Sequence, residues 1–202
     1  MKVYIIRHGE SEANAKGIHS GQGQFALTEK GEKDAENVGE LLRKIKFDKI
    51  YSSDLIRANM TGKIALPGHE IEQLSLIREV DVGWIVGRNI KALEAELGED
   101  LINNKKNFDY RPYGGENSEM LMERAKKFLD KLAELGEECK NVAVFTHSGF
   151  SKAMLSSVMG VWIPINKLVC ANCGVSVLSY EKGEWKLFSW NIQNNDGGTN
   201  VW

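Results

Sequence analysis

Apolar residues recur along this chain with two different periods, and the period changes several times. Residues 2–6 contain Val3-Tyr4-Ile5-Ile6, a short β-rich run that predicts a buried parallel strand. Thr28 can cap a helix. Ala35, Val38, Leu41, Leu42 and Ile45 follow at helical spacing and predict a helix through about residue 46. Residues 49–51 predict a second strand. Ser53 and Asp54 are expected to open a helix carrying Ile56, Met60 and Ile64, and residues 70–76 predict a third strand. Residues 90–97 predict a short helix ended by Gly98. The polar stretch 99–115 predicts a long loop, and a loop of that length is usually functional. Asn117 or Ser118 caps a long helix with Leu121, Ala125, Phe128, Leu132 and Leu135 on one face. Residues 141–145 predict a strand and 150–159 a buried helix. Residues 175–180 and 185–190 form a hairpin over Glu181-Lys182-Gly183-Glu184.

Strands that alternate with helices imply an α/β fold, here a three-layer α/β/α sandwich with a mostly parallel central sheet. The closing hairpin requires at least one antiparallel strand. A chain of 202 residues fits one domain, spanning 1–202, with a single sizeable core. The Asn- and Gly-rich tail, 191–200, is expected to be a flap or a mobile end.

Charge narrows the partners. With 26 basic and 28 acidic side chains the formal net charge is −2, so no global field recruits nucleic acid or an anionic membrane. An anionic substrate would need a local cluster of cations. The apolar run at 3–6 stops at Arg7, short of the roughly 7–15 apolar residues of a secretory leader. The stretch 153–165 is broken by Ser156, Ser157, Gly160 and Pro164, too short to span a bilayer. A cytoplasmic protein is expected. Cys139, Cys170 and Cys173 are an odd count, which argues against a disulfide framework. Cys170-Ala171-Asn172-Cys173 precedes a strand-like run instead of opening a helix, and no spaced Cys/His pair accompanies it. Small, partly buried residues are expected there, with no metal and no cofactor.

In open α/β sheets, ligands bind beyond the carboxyl ends of the strands. Arg7, His8 and Gly9 follow the first predicted strand. Ser52 and Ser53 follow the second, with Arg57 on the next helical turn. Glu79 follows the third. Thr146, His147, Ser148 and Gly149 follow the strand at 141–145. Two histidines and two arginines are thereby expected at one sheet edge. Forked guanidiniums match phosphate oxygens. A cationic His147 would add a third partner, and amides near Gly149 would add dipolar attraction at a helix start. Arg7 and Arg57 would hold His8 neutral. A backbone carbonyl would fix its tautomer, leaving the other ring nitrogen to attack phosphorus in line. Glu79 is the expected proton donor to the leaving alkoxide, with Asp81 and Glu116 as alternatives. Ser148 is a further expected phosphate-binding residue, with a helix cap as its alternative role. His19 and His69, in polar Gly-containing stretches, are expected in solvent.

At these residues the chain resembles the histidine phosphatase superfamily, in its phosphoglycerate mutase-like branch. The matching stretches are Arg7-His8-Gly9-Glu10-Ser11 with Asn14; Leu27-Thr28 with Gly31; Ser52 through Ala58; Arg78-Glu79 with Gly83; Gly115-Glu116; and Thr146-His147-Ser148-Gly149. They run in family order over nearly the whole chain. The resemblance implies His8 as nucleophile, Glu79 as proton donor, and Arg7, Arg57 and His147 as phosphate binders, with Asn14 and Gly21 near the phosphate. The family often has aspartate and proline where this chain has Gln24 and Ala26, and Trp-Glu-Gly where it has Ile85-Val86-Gly87. Those departures fall on substrate recognition and the entrance loop.

The functional expectation is a metal-independent phosphomonoesterase acting on a small phosphorylated metabolite: a sugar phosphate, a phosphoglycerate, α-ribazole phosphate or phosphoserine. A phosphoglycerate mutase is the alternative. The resembled mutases usually carry a longer insertion between proton donor and second histidine than this chain has from Glu79 to His147. A phospho-ligand binding module without catalysis is the third reading. Self-association as a homodimer is left open.

Overall fold

The computed structural model describes residues 1–136, 138–164 and 167–193. Its strands are β1 (Lys2–Arg7), β2 (Lys49–Ser53), β3 (Glu72–Leu74), β4 (Asn141–Thr146), β5 (Val175–Glu181) and β6 (Glu184–Ile192). Its helices are α1 (Glu12–Lys16), α2 (Glu29–Leu42), α3 (Ile56–Ala65), α4 (Ile90–Asn107), α5 (Ser118–Ala133) and α6 (Ser148–Met159). The strands form one six-stranded sheet in the order β3-β2-β4-β1-β5-β6. The first four of that order run parallel, and β5 and β6 run antiparallel to their neighbours.

Side-chain parity along the strands builds the three layers. Tyr4 and Ile6 of β1 and Ala143 and Phe145 of β4 meet Ala35, Val38 and Leu42 of α2 and Ala65 of α3 on one face. Val3 and Ile5, with Val142 and Val144, meet Phe128 and Leu132 of α5 and Phe150 and Met154 of α6 on the other. Both faces are buried, so these strands read as continuous apolar runs without alternation.

Several boundaries differ from the sequence expectation, each for a local reason. α2 stops at Leu42, not near residue 46, because Lys44 and Ile45 donate to the carbonyls of Leu41 and Leu42 in tight turns. Ile45 nevertheless packs on the core from beyond the helix end. α3 opens at Ile56. Ser53 Oγ accepts from the Leu55 N–H, and Asp54 turns away to pair with Arg78, whose Nε lies 2.7 Å from Asp54 Oδ1. β3 is only three residues long, because the chain turns into a 3-10 helix at Ser75–Ile77.

The largest correction concerns 99–115, which is not a loop. Gly98 (φ 61°, ψ −144°) breaks α4 into two segments as expected of a helix end, but 99–107 then continues as helix, followed by a 3-10 turn at Arg111–Tyr113. Leu101 is the fully buried anchor of this second segment. Lys105 pairs with Glu94 across the kink. One apolar anchor in nine residues is too sparse a pattern to register as amphipathic. The segment ends with Phe108 in the left-handed region (φ 55°, ψ 48°), which costs a non-glycine residue roughly 1–2 kcal/mol. His19 is also corrected. It is buried beside this segment, and burial together with Lys105 lowers its pKa to about 4. His69 is exposed as expected. The expected tail flap lies, beyond Gln193, outside the described residues.

The turn that follows β1 depends on a backbone approach that only glycine allows. A Cβ on Gly31 would sit 2.1 Å from the Glu10 carbonyl oxygen, and one on Gly9 would sit 2.4 Å from the Gly31 oxygen. Thr28 Oγ1 caps α2 by accepting from Gly31 N–H at 3.1 Å, and Thr28 N–H in turn donates to the Glu10 carbonyl at 2.9 Å. The start of α2 is thus seated directly on the segment that carries His8. Gly31→Ala is expected to lower stability by about 2 kcal/mol through overpacking that no rotamer can relieve. Urea unfolding monitored by circular dichroism measures it, and an unchanged midpoint would contradict the close approach.

Candidate active site

The sheet order places β2, β4 and β1 side by side, so their carboxyl ends open onto one cleft. β1 delivers Arg7 and His8. β2 leads into α3 with Arg57 on its first turn. β4 leads through Thr146 into His147, which occupies the N-cap position of α6. The rings of His8 and His147 lie 5.1 Å apart. Both are buried, as is Arg57, which has no exposed surface.

His8 is gripped at both ring nitrogens. Its Nδ1 lies 2.6 Å from the Gly9 carbonyl oxygen, an acceptor, so Nδ1 carries the proton. Nε2 is then the lone-pair nitrogen, and Arg57 Nε donates to it at 3.3 Å. Burial, then Arg57 and Arg7, push the His8 pKa well below the usual imidazole value. The ring is therefore neutral, with a defined tautomer. Gly9 is held in turn by Thr61, whose Oγ1 accepts from the Gly9 N–H at 3.0 Å and donates to the Arg57 carbonyl at 2.7 Å.

The other Arg57 donors go to backbone: Nη1 to Gly23 O at 2.8 Å and Nη2 to Gly21 O at 2.7 Å. Burial lowers its pKa to about 10, with Glu79 acting in the opposite direction. Arg7 Nη1 donates to the Cys170 carbonyl at 2.6 Å. Arg7 Nε and both ring nitrogens of His147 are buried without a hydrogen-bond partner among the described residues. Buried polar atoms left in that condition mark a place where a ligand oxygen would be satisfied. His147 is neutral, not cationic as the sequence suggested, because burial and then Arg57, His8 and Arg7 lower its pKa well below the usual value.

Glu79 projects toward the same cleft. Its Oε1 accepts from Val80 N–H at 2.9 Å and its Oε2 from Gly149 N–H at 3.1 Å. The Gly149 amide, expected to face an anion, is thus engaged by this carboxylate. The two alternative acids are committed elsewhere. Asp81 Oδ1 accepts from Gly83 N–H at 2.8 Å, and Glu116 takes a bidentate pair from Arg124 Nε and Nη2, both at 2.8 Å. Arg124 also donates to the carbonyls of Leu76, Arg78 and Glu79 at 2.8, 2.9 and 3.1 Å. One guanidinium thereby clasps the backbone that carries Glu79.

The remaining expected residues lie at the rim. Gly21 reaches the cleft through the carbonyl that accepts from Arg57. Asn14 completes a capping box with Ser11. Its Oδ1 also accepts at 3.4 Å from Asn172, which donates to the His8 carbonyl at 2.9 Å. Ser148 is the first helical residue of α6 and not its cap, and its hydroxyl pairs with the Cys170 thiol. Cys170 and Cys173 are free and buried, and burial raises both thiol pKa values. Their loop grips the end of β1 instead, with Cys173 N–H donating to Arg7 O at 3.1 Å. Thr61, Arg124 and Asn172 were not singled out from the sequence. Thr61 lies four residues beyond Arg57 on one helix, which is a usable signal. The other two carry none, since their partners are distant in the chain.

A mostly parallel α/β sheet with two histidines, two arginines and a carboxylate at its carboxyl edge defines a class of phosphate-handling proteins. The family is settled by likeness. The model of the histidine phosphatase superfamily (branch 1) matches residues 3–193, and the chain belongs to that superfamily. A protein named "Probable phosphoglycerate mutase GpmB" from Salmonella paratyphi A is 32% identical over 200 residues, covering 96% of this chain and 91% of its own. A phosphoserine phosphatase from Entamoeba histolytica, solved with 3-phosphoglyceric acid, superposes with a TM-score of 0.80 at 26% identity, covering 95% of this chain and 97% of its own. The α-ribazole phosphatase from Shigella flexneri has the same fold, with a TM-score of 0.84 at 24% identity over 99% of this chain and 100% of its own.

Two outcomes follow from this geometry. His8 and His147 are expected to keep the side-chain 15N shifts of neutral imidazole as pH falls from about 8 through about 6.5, because their folded pKa values lie well below the unfolded value of about 6.5. The sign for stability is that the unfolded chain binds more protons below that value. Their contribution to stability is therefore complete above it and lost progressively as pH falls from it through the folded pKa values. A ring that protonates with a midpoint near 6.5 would contradict the assignment. Arg124→Ala leaves the mostly buried Glu116 without its charge partner and takes a donor from three carbonyls, and is expected to cost about 3 kcal/mol in urea unfolding.

Proposed function

We propose that this protein is a metal-independent phosphomonoesterase that transfers the phosphoryl group of a small metabolite to His8 and then to water. The single observation that carries this reading is the two-sided hold on His8. The Gly9 carbonyl accepts a hydrogen bond from Nδ1–H, and Arg57 stands at Nε2, so the lone pair and the cation face the same cleft.

A bound phosphate satisfies the unpartnered Arg7 Nε and the His147 ring, and draws the Arg57 Nε–H from the imidazole to one of its oxygens. His8 Nε2 forms a bond to phosphorus as the bond to the ester oxygen breaks. The arginines spread the charge of the equatorial oxygens. The leaving oxygen keeps the bonding pair and takes a proton from the Glu79 carboxyl. Water then attacks the phosphohistidine, the Glu79 carboxylate accepts its proton, and inorganic phosphate departs with His8 restored. Every step uses protein side chains, and the described residues hold no group of three or more His, Cys, Asp or Glu arranged to bind a metal.

Mutase activity differs only in the acceptor, because the same phosphohistidine returns its phosphoryl group to a bound alcohol. The names of the relatives divide between the two activities. The short span from Glu79 to His147, occupied by α4 and α5, favours water.

Phosphate release from p-nitrophenyl phosphate, in the presence of EDTA, tests the reading. The wild-type rate should be unaffected by the chelator, and His8→Ala should lower it by at least about a thousandfold. Equal, negligible rates for both proteins would sink the catalytic claim. Conversion of 3-phosphoglycerate to 2-phosphoglycerate with little free phosphate would replace hydrolysis by the mutase reading.

A further inference from the structure

The kinked helix α4 ends on a residue whose conformation the phosphoryl chemistry above does not use. Phe108 is a bulky aromatic in the left-handed region, buried to 2% exposure, at the C-cap of that helix. Its ring edge reaches Gly149 from within the core. The point where a Gly149 Cβ would stand is 3.2 Å from Phe108 Cζ and 2.3 Å from Glu79 Oε1. Gly149 thus leaves open a slot that the phenyl edge and the carboxylate share. Trp162 covers Phe108 from outside at 5.0 Å between ring centroids, and Tyr110 meets it edge-on at 5.6 Å. The turn beyond is fastened to the segment carrying Glu79. Tyr110 N–H donates to Glu116 O, and Glu116 N–H donates to Asp81 O, at 2.9 and 2.8 Å.

We infer that Phe108 is a positioning residue for the proton donor: its ring closes the open side of the Glu79 carboxyl and keeps water from that side. The other contacts of the carboxyl cannot do this. The amides of Val80 and Gly149 each hold one oxygen from the backbone side, but neither keeps water from the side of the carboxyl that faces Phe108, away from the reacting phosphate. A phenyl edge does, since it offers no competing hydrogen bond and fills the space. The left-handed backbone of Phe108 ends the helix at this point, its N–H donating to the carbonyls of Asn104 and Lys105. Local strain retained at such a point is expected where surrounding structure over-determines it.

This inference rests on Glu79 acting as the acid, and leaving groups separate the two claims. An alkyl phosphate needs its leaving oxygen protonated, whereas p-nitrophenolate departs without help. The experiment compares kcat and KM for p-nitrophenyl phosphate and β-glycerophosphate in wild type, Phe108→Gly, Phe108→Leu and Glu79→Gln. Glycine relieves the backbone and removes the ring. Leucine keeps apolar bulk and guards against loss of fold, which circular dichroism checks. The ratio of aryl to alkyl kcat should rise about tenfold in Phe108→Gly and less in Phe108→Leu, with KM for β-glycerophosphate changed by less than about threefold. A ratio equal to wild type in Phe108→Gly, or a change confined to KM, overturns the positioning role. A ratio unchanged in Glu79→Gln overturns the acid assignment itself, and with it this inference.

Discussion

A wholly buried guanidinium must find an acceptor for its donors, and that requirement at Arg57 shapes most of this site. Its ammonium-like charge cannot be left in a dry interior unpaired. Three of its nitrogens are satisfied by His8 Nε2 and by the carbonyls of Gly23 and Gly21. The loop between α1 and α2 is therefore drawn over the strand ends, and its glycines give the guanidinium access to backbone. The same contact orients the imidazole. The Gly9 carbonyl engages His8 Nδ1–H and so sets the tautomer, and the guanidinium takes the remaining lone pair at Nε2 and holds its direction. Burial that makes the cation demanding also keeps both histidines neutral.

A second arginine performs the corresponding task for the carboxylate. Arg124 joins α5 to the chain between β3 and α4 by saturating its donors on Glu116 and three carbonyls. Glu79 then presents its carboxyl from a backbone with little freedom. The two halves of the site are built from different layers: nucleophile and phosphate ligands come from adjacent strand ends, and the acid comes from an irregular segment braced against α5. Strand order makes them meet. β4 lies between β1 and β2, so the chain carrying His147 leaves the sheet between the strand that leads to His8 and the strand that leads to Arg57.

Legibility in the sequence followed the range of each interaction. Central strands were readable because burial on both faces makes them continuous apolar runs, and α2 and α5 because their apolar stripes are wide. The site residues Arg7, His8, Arg57, Glu79 and His147 were readable because each follows a strand-like run, and strand ends converge in this fold. The second half of α4 was misread because Leu101 alone anchors it. His19 was misread because a polar neighbourhood in sequence gives no sign of α4 lying across it. His147 was read as a cation because its residue type suggests charge, while its protonation depends on surrounding burial and on four nearby basic groups.

The amino-acid sequence by itself determined the layered α/β architecture, the local order of strands and helices, and the set of side chains that line the cleft. These rest on periodicity and on position relative to strand ends, both short-range properties of the chain. Tertiary structure alone decided the protonation of the histidines, the pairing of Glu116 with Arg124 that leaves Glu79 facing the cleft, and the left-handed Phe108 beside it. Each of those depends on distance and desolvation between residues far apart in the chain. Neither quantity exists until the layers have packed.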